Sequence, residues 1–173
     1  MEEQIIQLLF YCIPAIVTGG VAYYFFSLHT KNEEGRRRYL LHKESQKDAL
    51  PVRLQAYERM TLFLERIAPA SLTINLTPVT DGKDDYENRL IQQIETEFNH
   101  NLAQQIYLTE DCWGIIRAAK NTTIQMIRKI AMSEKIDSAS KLREAILTEF
   151  MDKQAPSATA LSFIKKEVSE IIG

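Results

Sequence analysis

From Ile5 to Leu28 the chain runs 24 positions without a charged side chain, and twelve of them are Leu, Ile, Val or Phe. A helix of that length rises about 36 Å, more than the ~30 Å hydrocarbon core of a bilayer. The run is apolar on every side rather than along one stripe, which is unusual for a core helix. It predicts an N-terminal transmembrane anchor over residues 1–28. A cleaved signal peptide fits less well. Its start is normally basic, whereas this one is Met1-Glu2-Glu3-Gln4, and no small-residue cleavage site follows. Within the run, Ala15, Gly19 and Ala22 share a helix face at spacings of four and three. Small residues at that spacing let a second helix approach closely, so these are candidate helix-pairing positions in the membrane.

After Leu28 the pattern changes. Residues 29–50 are polar, with Tyr39, Leu40 and Leu41 as an apolar island, and predict a helical juxtamembrane stalk. Residues 51–173 carry helical periodicity throughout. Pro51 suits the first turn of a new helix. Tyr57, Met60, Leu64 and Ile67 then recur at helical spacing up to Pro69. Leu72, Ile74 and Leu76 alternate with polar residues, a short extended connection packed on the helices. A long helix is expected from about Asp84 to Tyr107, with Leu90, Ile91, Ile94, Phe98, Leu102 and Ile106 on its apolar face. Thr109 is placed to cap the next helix, which runs to about Ser133. Asp137 or Ser138 caps a fourth, and Ser157 a last one with the stripe Leu161, Ile164, Val168 and Ile171. The expected fold is all-α: one transmembrane helix, a stalk and a cytoplasmic bundle of about five helices.

Charge adds an orientation. The N-terminal flank has two carboxylates and no base, while Lys31, Arg36, Arg37, Arg38, Lys43 and Lys47 follow the apolar run. The positive-inside rule then puts the N-terminus outside and the C-terminal domain in the cytoplasm. Arg36, Arg37 and Arg38 are also candidates for contact with anionic lipid heads at the membrane surface. With Glu2 and Glu3 set aside, the rest of the chain balances 21 basic against 21 acidic side chains, which argues against a nucleic-acid partner. The two cysteines, Cys12 and Cys112, fall on opposite sides of this division and cannot pair within a chain, as suits a reducing compartment.

Chemistry is sparse. There is no GxGxxG, Walker loop, HExxH or CxxC, and no glycine cluster in the domain to cradle a phosphate. The most suggestive polar group is Glu97-x-x-His100. On a helix that spacing supplies two ligands to a carboxylate-bridged metal pair, but such sites need the motif twice, and here it occurs once. Glu97 and His100 are thus the only metal candidates, and no cofactor is expected. Tyr57 and Tyr107 offer hydroxyls with no base paired to them. Trp113 reads as a packing anchor.

The string as a whole carries a resemblance. Gly19-Gly20-Val21-Ala22-Tyr23-Tyr24-Phe25-Phe26 leads to Leu41-His42-Lys43-Glu44. The segments 54–67, 97–107 and Ile164-Lys165-Lys166-Glu167-Val168 follow. These resemble a family of small single-pass membrane proteins of Bacteroidota bacteria, over nearly the full length. The resemblance implies a bacterial inner-membrane location and transfers no catalytic residue. The expected function is a membrane-anchored, non-catalytic interaction or scaffold protein, an accessory subunit of an inner-membrane or envelope assembly. Its partners would be the lipid bilayer, other proteins and, by helix pairing, a second copy. The alternative is a tethered enzyme or a small-ligand or metal-binding bundle.

Overall fold

The computed structural model describes residues 2–150 and 153–173; the side chains of residues 2, 4–9, 11, 12, 45 and 46 lie outside the description. All regular elements among the described residues are helical. The chain divides into two compact units, Met1–Ala49 and Leu50–Gly173.

The first unit is one stretch of helix, the N-terminal part of α1 (Glu2–Ile67). Its large apolar side chains from Ile13 to Leu28 are exposed. The expectation of a transmembrane anchor is corrected here: among the described residues, no helix is long and apolar enough to cross a membrane. The physical reason is dilution: between Ile13 and Leu28 the apolar side chains are interspersed with Pro14, Thr18, Gly19, Gly20, Tyr23, Tyr24 and Ser27. Earlier in the run Phe10 is exposed, and the side chains of residues 5–9, 11 and 12, Cys12 among them, lie outside the description. The single-pass topology, the inner-membrane location and the cytoplasmic placement of the domain all rested on that anchor and are corrected with it.

The second unit is built from the end of α1 and five further helices. These are α2 (Pro69–Asn75), α3 (Lys83–His100), α4 (Glu110–Ala131), α5 (Ala139–Glu149) and α6 (Pro156–Ile172). A 3-10 helix, Leu102–Tyr107, links α3 to α4. Each α-helix buries one stripe. On α1 it is Ala56, Tyr57, Met60, Phe63, Leu64 and Ile67; on α3 it is Tyr86, Leu90, Ile94 and Phe98. On α4 the stripe starts at Cys112 and Trp113 and continues through Ile116, Ala119, Thr123 and Ile127. α4 and α6 share an extensive contact. Both helices carry small buried residues, Ala119 and Thr123 on α4 and Ser157 and Ala160 on α6.

Local signals set most helix ends. The Thr109 side chain accepts from the Cys112 amide, and Ser138 accepts from the Lys141 amide, so both cap as expected. Glu110 and Asp111 lie in the first turn of α4, where the helix dipole favours carboxylates. Three expectations are corrected. α1 passes through Pro51 without a new start. Ser157 is not a cap: Ala155 holds that position, Pro156 opens α6, and Ser157 is buried. Residues 69–75 form a helix, not an extended segment. Pro69 presets the first turn, the Leu72 amide donates to the Ala68 carbonyl at 2.8 Å, and only Leu72 and Thr73 turn fully inward with Pro69.

The fourth correction concerns α3, which stops at His100 rather than Tyr107. Asn101 ends it. Its amide donates to the Phe98 carbonyl at 3.0 Å, and its side-chain nitrogen donates to the Glu97 carbonyl at 2.8 Å. Those bonds occupy carbonyls that a continuing helix would use, and the backbone tightens into the 3-10 segment. Leu102 and Ile106 therefore leave the apolar face and stand exposed.

Long-range polar bonds tie the connections down. The Tyr86 hydroxyl donates to the Leu76 carbonyl at 2.8 Å, and Arg143 Nε on α5 donates to the Thr73 carbonyl at 3.0 Å. The Ala139 amide at the start of α5 donates to the Asp81 carbonyl at 3.0 Å. In urea denaturation, Ile116→Ala is expected to cost about 2–5 kcal/mol, the range for emptying a fully buried aliphatic site. Tyr86→Phe should cost about 0.5–1.5 kcal/mol, because it removes one hydrogen bond to the loop and keeps the ring.

Candidate functional site

Three places in the second unit bring polar chemistry together. The first is a groove beside the α1–α3 contact. The buried stripe of α3 leaves Glu97 at its edge, where its carboxylate meets Arg66 in the last turn of α1. Arg66 Nη1 donates to Glu97 Oε2 at 3.1 Å, and Gln93 Nε2 donates to Oε1 at 3.1 Å. Arg66 is largely solvated, so this ion pair contributes little to stability. It does separate two hollows. One, of about 250 Å³, has an apolar floor of Ile67, Leu72 and Leu76. The other, of about 300 Å³, is mostly polar and lined by Gln55, Glu58, Arg59 and Asn101 among others. Arg66 and Glu97 line both.

This geometry decides how the Glu97–His100 pair is used. Both carboxylate oxygens of Glu97 are engaged by α1 and α3 side chains, while His100 is exposed at the end of α3. Among the described residues, no three His, Cys, Asp or Glu side chains converge as a metal site would require. Glu97 is held in a solvated ion pair with Arg66.

The second place is an aromatic column crossing three helices. Phe63, Phe98 and Trp113 follow one another, with ring centroids 5.7 and 5.2 Å apart. Lys120 Nζ sits 4.7 Å above the Phe98 ring and donates to both oxygens of Glu95, at 2.8 and 2.9 Å. Its side chain is largely buried. A hollow of about 310 Å³ opens beside it, bounded by Gly114, Arg117 and Asn121. Trp113 is a packing anchor, as its sequence position suggested.

The third place was not visible in the sequence as a site. Buried Tyr57 from α1 and Cys112 from the start of α4 lie near part-buried Glu167 of α6, whose carboxylate reaches the exposed Thr109 at the edge of the bundle. The Thr109 hydroxyl donates to Glu167 Oε1 while its oxygen caps α4. Among the described residues, two buried side-chain polar atoms lack a hydrogen-bond partner, and they are the Tyr57 hydroxyl and Glu167 Oε2. Burial pushes the Tyr57 phenol above its ordinary range; the Glu167 carboxylate adds to the rise and the Arg53 guanidinium opposes it. The Cys112 thiol is pushed up to about 12 by burial, reinforced by its hydrogen bond to Glu167 and that carboxylate's charge. A thiol so protonated is a poor nucleophile. The one clue in the sequence was Glu167 itself, a charge three residues after Ile164 and four before Ile171, within the apolar stripe of α6. Tyr107, the other hydroxyl candidate, is exposed on the 3-10 helix.

In the first unit, Arg36, Arg37 and Arg38 are all exposed, and Arg36 Nη1 lies 3.8 Å from Glu33 one turn earlier. Ala15, Gly19 and Ala22 are exposed too, and a Cβ placed on Gly19 would meet nothing within 4 Å. They lie among uncovered Ile16, Val17, Tyr23, Phe25 and Phe26.

The chain belongs to a family of unknown function, DUF7935, whose model matches residues 3–171. No curated protein and no solved structure is similar to it. The family match covers both units and gives no residue a role.

The Cys112 thiol makes an alkaline prediction. Its ordinary value is 9.0 and its folded value about 12, so above pH 9 the unfolded chain loses a proton that the folded chain keeps. The stability this group contributes is fully present below pH 9 and is lost as pH rises towards 12. Tyr57 and Tyr86 are also raised and act in the same direction above their ordinary value of 10.0. Urea midpoints measured from pH 8 to 11 should fall, and Cys112→Ala should flatten the fall between pH 9 and 10. A midpoint that rises over this range contradicts the burial of all three groups.

Proposed function

We propose that this protein is a non-catalytic interaction subunit whose N-terminal helix assembles with a partner protein. The observation that carries the reading is the sleeve of exposed apolar side chains on α1. Ile13, Ile16, Val17, Val21, Phe25, Phe26 and Leu28 are each about half or more exposed, on all sides of the helix. A lone helix cannot bury such a surface within itself. Contiguous apolar surface of this kind marks contact with another molecule. The chemistry of the partner follows from what flanks the sleeve. Residues 29–53 carry seven basic and four acidic side chains, with Arg36, Arg37 and Arg38 exposed together. The fitting partner offers an apolar helical surface followed by acidic groups.

The second unit supports the non-catalytic part of the reading. Glu97 is tied to Arg66 and Gln93, and Cys112 is buried as the neutral thiol. No nucleophile–base pair emerges from these contacts.

Photo-crosslinking in the native cell tests the proposal. A photoreactive side chain at Val17 or Phe25 should yield a discrete protein adduct in high yield, and the same probe at exposed Asn88 should not. Arg36→Glu, Arg37→Glu and Arg38→Glu combined should weaken the Val17 adduct at least several-fold. Adducts to lipid alone, or no adduct at either position, overturn the reading.

A further inference from the structure

Resting on the reading that the N-terminal helix assembles with a protein, we infer that its partner is a second copy of this chain, lying antiparallel to the first. The sleeve supplies the need for a partner. Ile13, Ile16, Val17, Val21, Phe25, Phe26 and Leu28 are uncovered on a helix that runs on from Glu2. The charges at the two ends of the sleeve choose the partner. Glu2 and Glu3 precede it, with no Lys or Arg before Lys31. Arg36, Arg37 and Arg38 follow it and are exposed, as is Glu3. One helix therefore carries an acidic end, an apolar middle and a basic end. An apolar helical surface flanked by acidic groups, which the basic segment calls for, is present in α1 itself.

The same charges set the orientation. Two parallel copies would place Arg36, Arg37 and Arg38 against the same three bases, and Glu2 and Glu3 against the same two acids. Like charges so placed repel. Turned end for end, each copy brings Glu2 level with Arg37 of the other copy and Glu3 level with Arg36. In that register Ile13 is level with Phe26 and Val17 with Ala22, so the sleeves cover one another along most of their length. The midpoint falls between Gly19 and Gly20. A Cβ on either would meet nothing within 4 Å, so the backbone there is open to close approach.

The photoreactive probe at Val17 identifies the occupant: mass spectrometry of the adduct should find two copies of this chain. An adduct to a different protein overturns this inference and leaves the interaction reading standing, whereas lipid adducts or none overturn both. Disulfide trapping reads the orientation in purified full-length protein carrying Cys12→Ser; the remaining Cys112 is buried. Gly20→Cys should link to itself. Arg37→Cys should not, because the two copies of that position stand roughly 50 Å apart. Chains with Glu3→Cys mixed with chains with Arg36→Cys should form the mixed disulfide. Self-linking of Arg37→Cys as efficient as that of Gly20→Cys overturns the antiparallel arrangement. In sedimentation, Glu2→Lys with Glu3→Lys should weaken the dimer about tenfold or more, since each reversal acts twice in a symmetric pair. Adding Arg36→Glu and Arg37→Glu should restore it, and raised salt should weaken the native dimer. A native chain that sediments as a monomer, or a dimer indifferent to the charge reversals, overturns the inference.

Discussion

Phe98 lies between Phe63 and Trp113, tilted against the first ring and stacked on the second. Through those two contacts α1, α3 and α4 share one core. Without a sheet to pack on, each helix of the second unit must bury its stripe against other helices. The column fixes where the stripes meet, because large rings tolerate few alternative packings. Lys120 closes the column on one side, with its ammonium over Phe98 and its donors on Glu95. Phe63 belongs to α1 and lies between Met60 and Leu64 on that helix's buried stripe.

Polar groups inside the bundle are mostly satisfied at short range. Thr73 and Thr123 are fully buried, and each hydroxyl donates to the carbonyl four residues earlier, at 2.7 and 2.9 Å. Such back-bonding lets a threonine sit in the core where a small residue is needed. At the junction of Tyr57 and Glu167 no carbonyl of the same helix takes that part. The groups there come from three helices, so their satisfaction depends on how the helices meet. That is why this junction, rather than the solvated Arg66–Glu97 pair, stands out as a specific polar feature.

The two units differ in what they bury. The second has a continuous core and stripes that face inward. The first exposes apolar side chains round α1 and follows them with a basic segment. That exposed apolar surface is what the proposed partner contact rests on. The second unit carries paired charges and shallow hollows on its surface, and its most reactive side-chain type, Cys112, is sealed in as a neutral thiol.

The sequence determined the all-α class, the stripe of α3 as far as Phe98, the stripe of α6, and the caps Thr109 and Ser138. These depend on interactions within three or four residues, and helical periodicity records them directly. It misled where a local pattern had two readings. Leu72, Ile74 and Leu76 alternate like a strand, yet Pro69 and burial against α5 make a helix. Leu102 and Ile106 continue the α3 period, yet Asn101 ends the helix before they can face inward. The long uncharged run suggested a membrane span that the described residues do not support. The tertiary structure alone decided that Glu97 pairs with Arg66 and that Glu167 meets Tyr57 and Cys112. Those partners lie 31 or more positions apart, and no periodicity within one helix encodes which face of another helix it will meet.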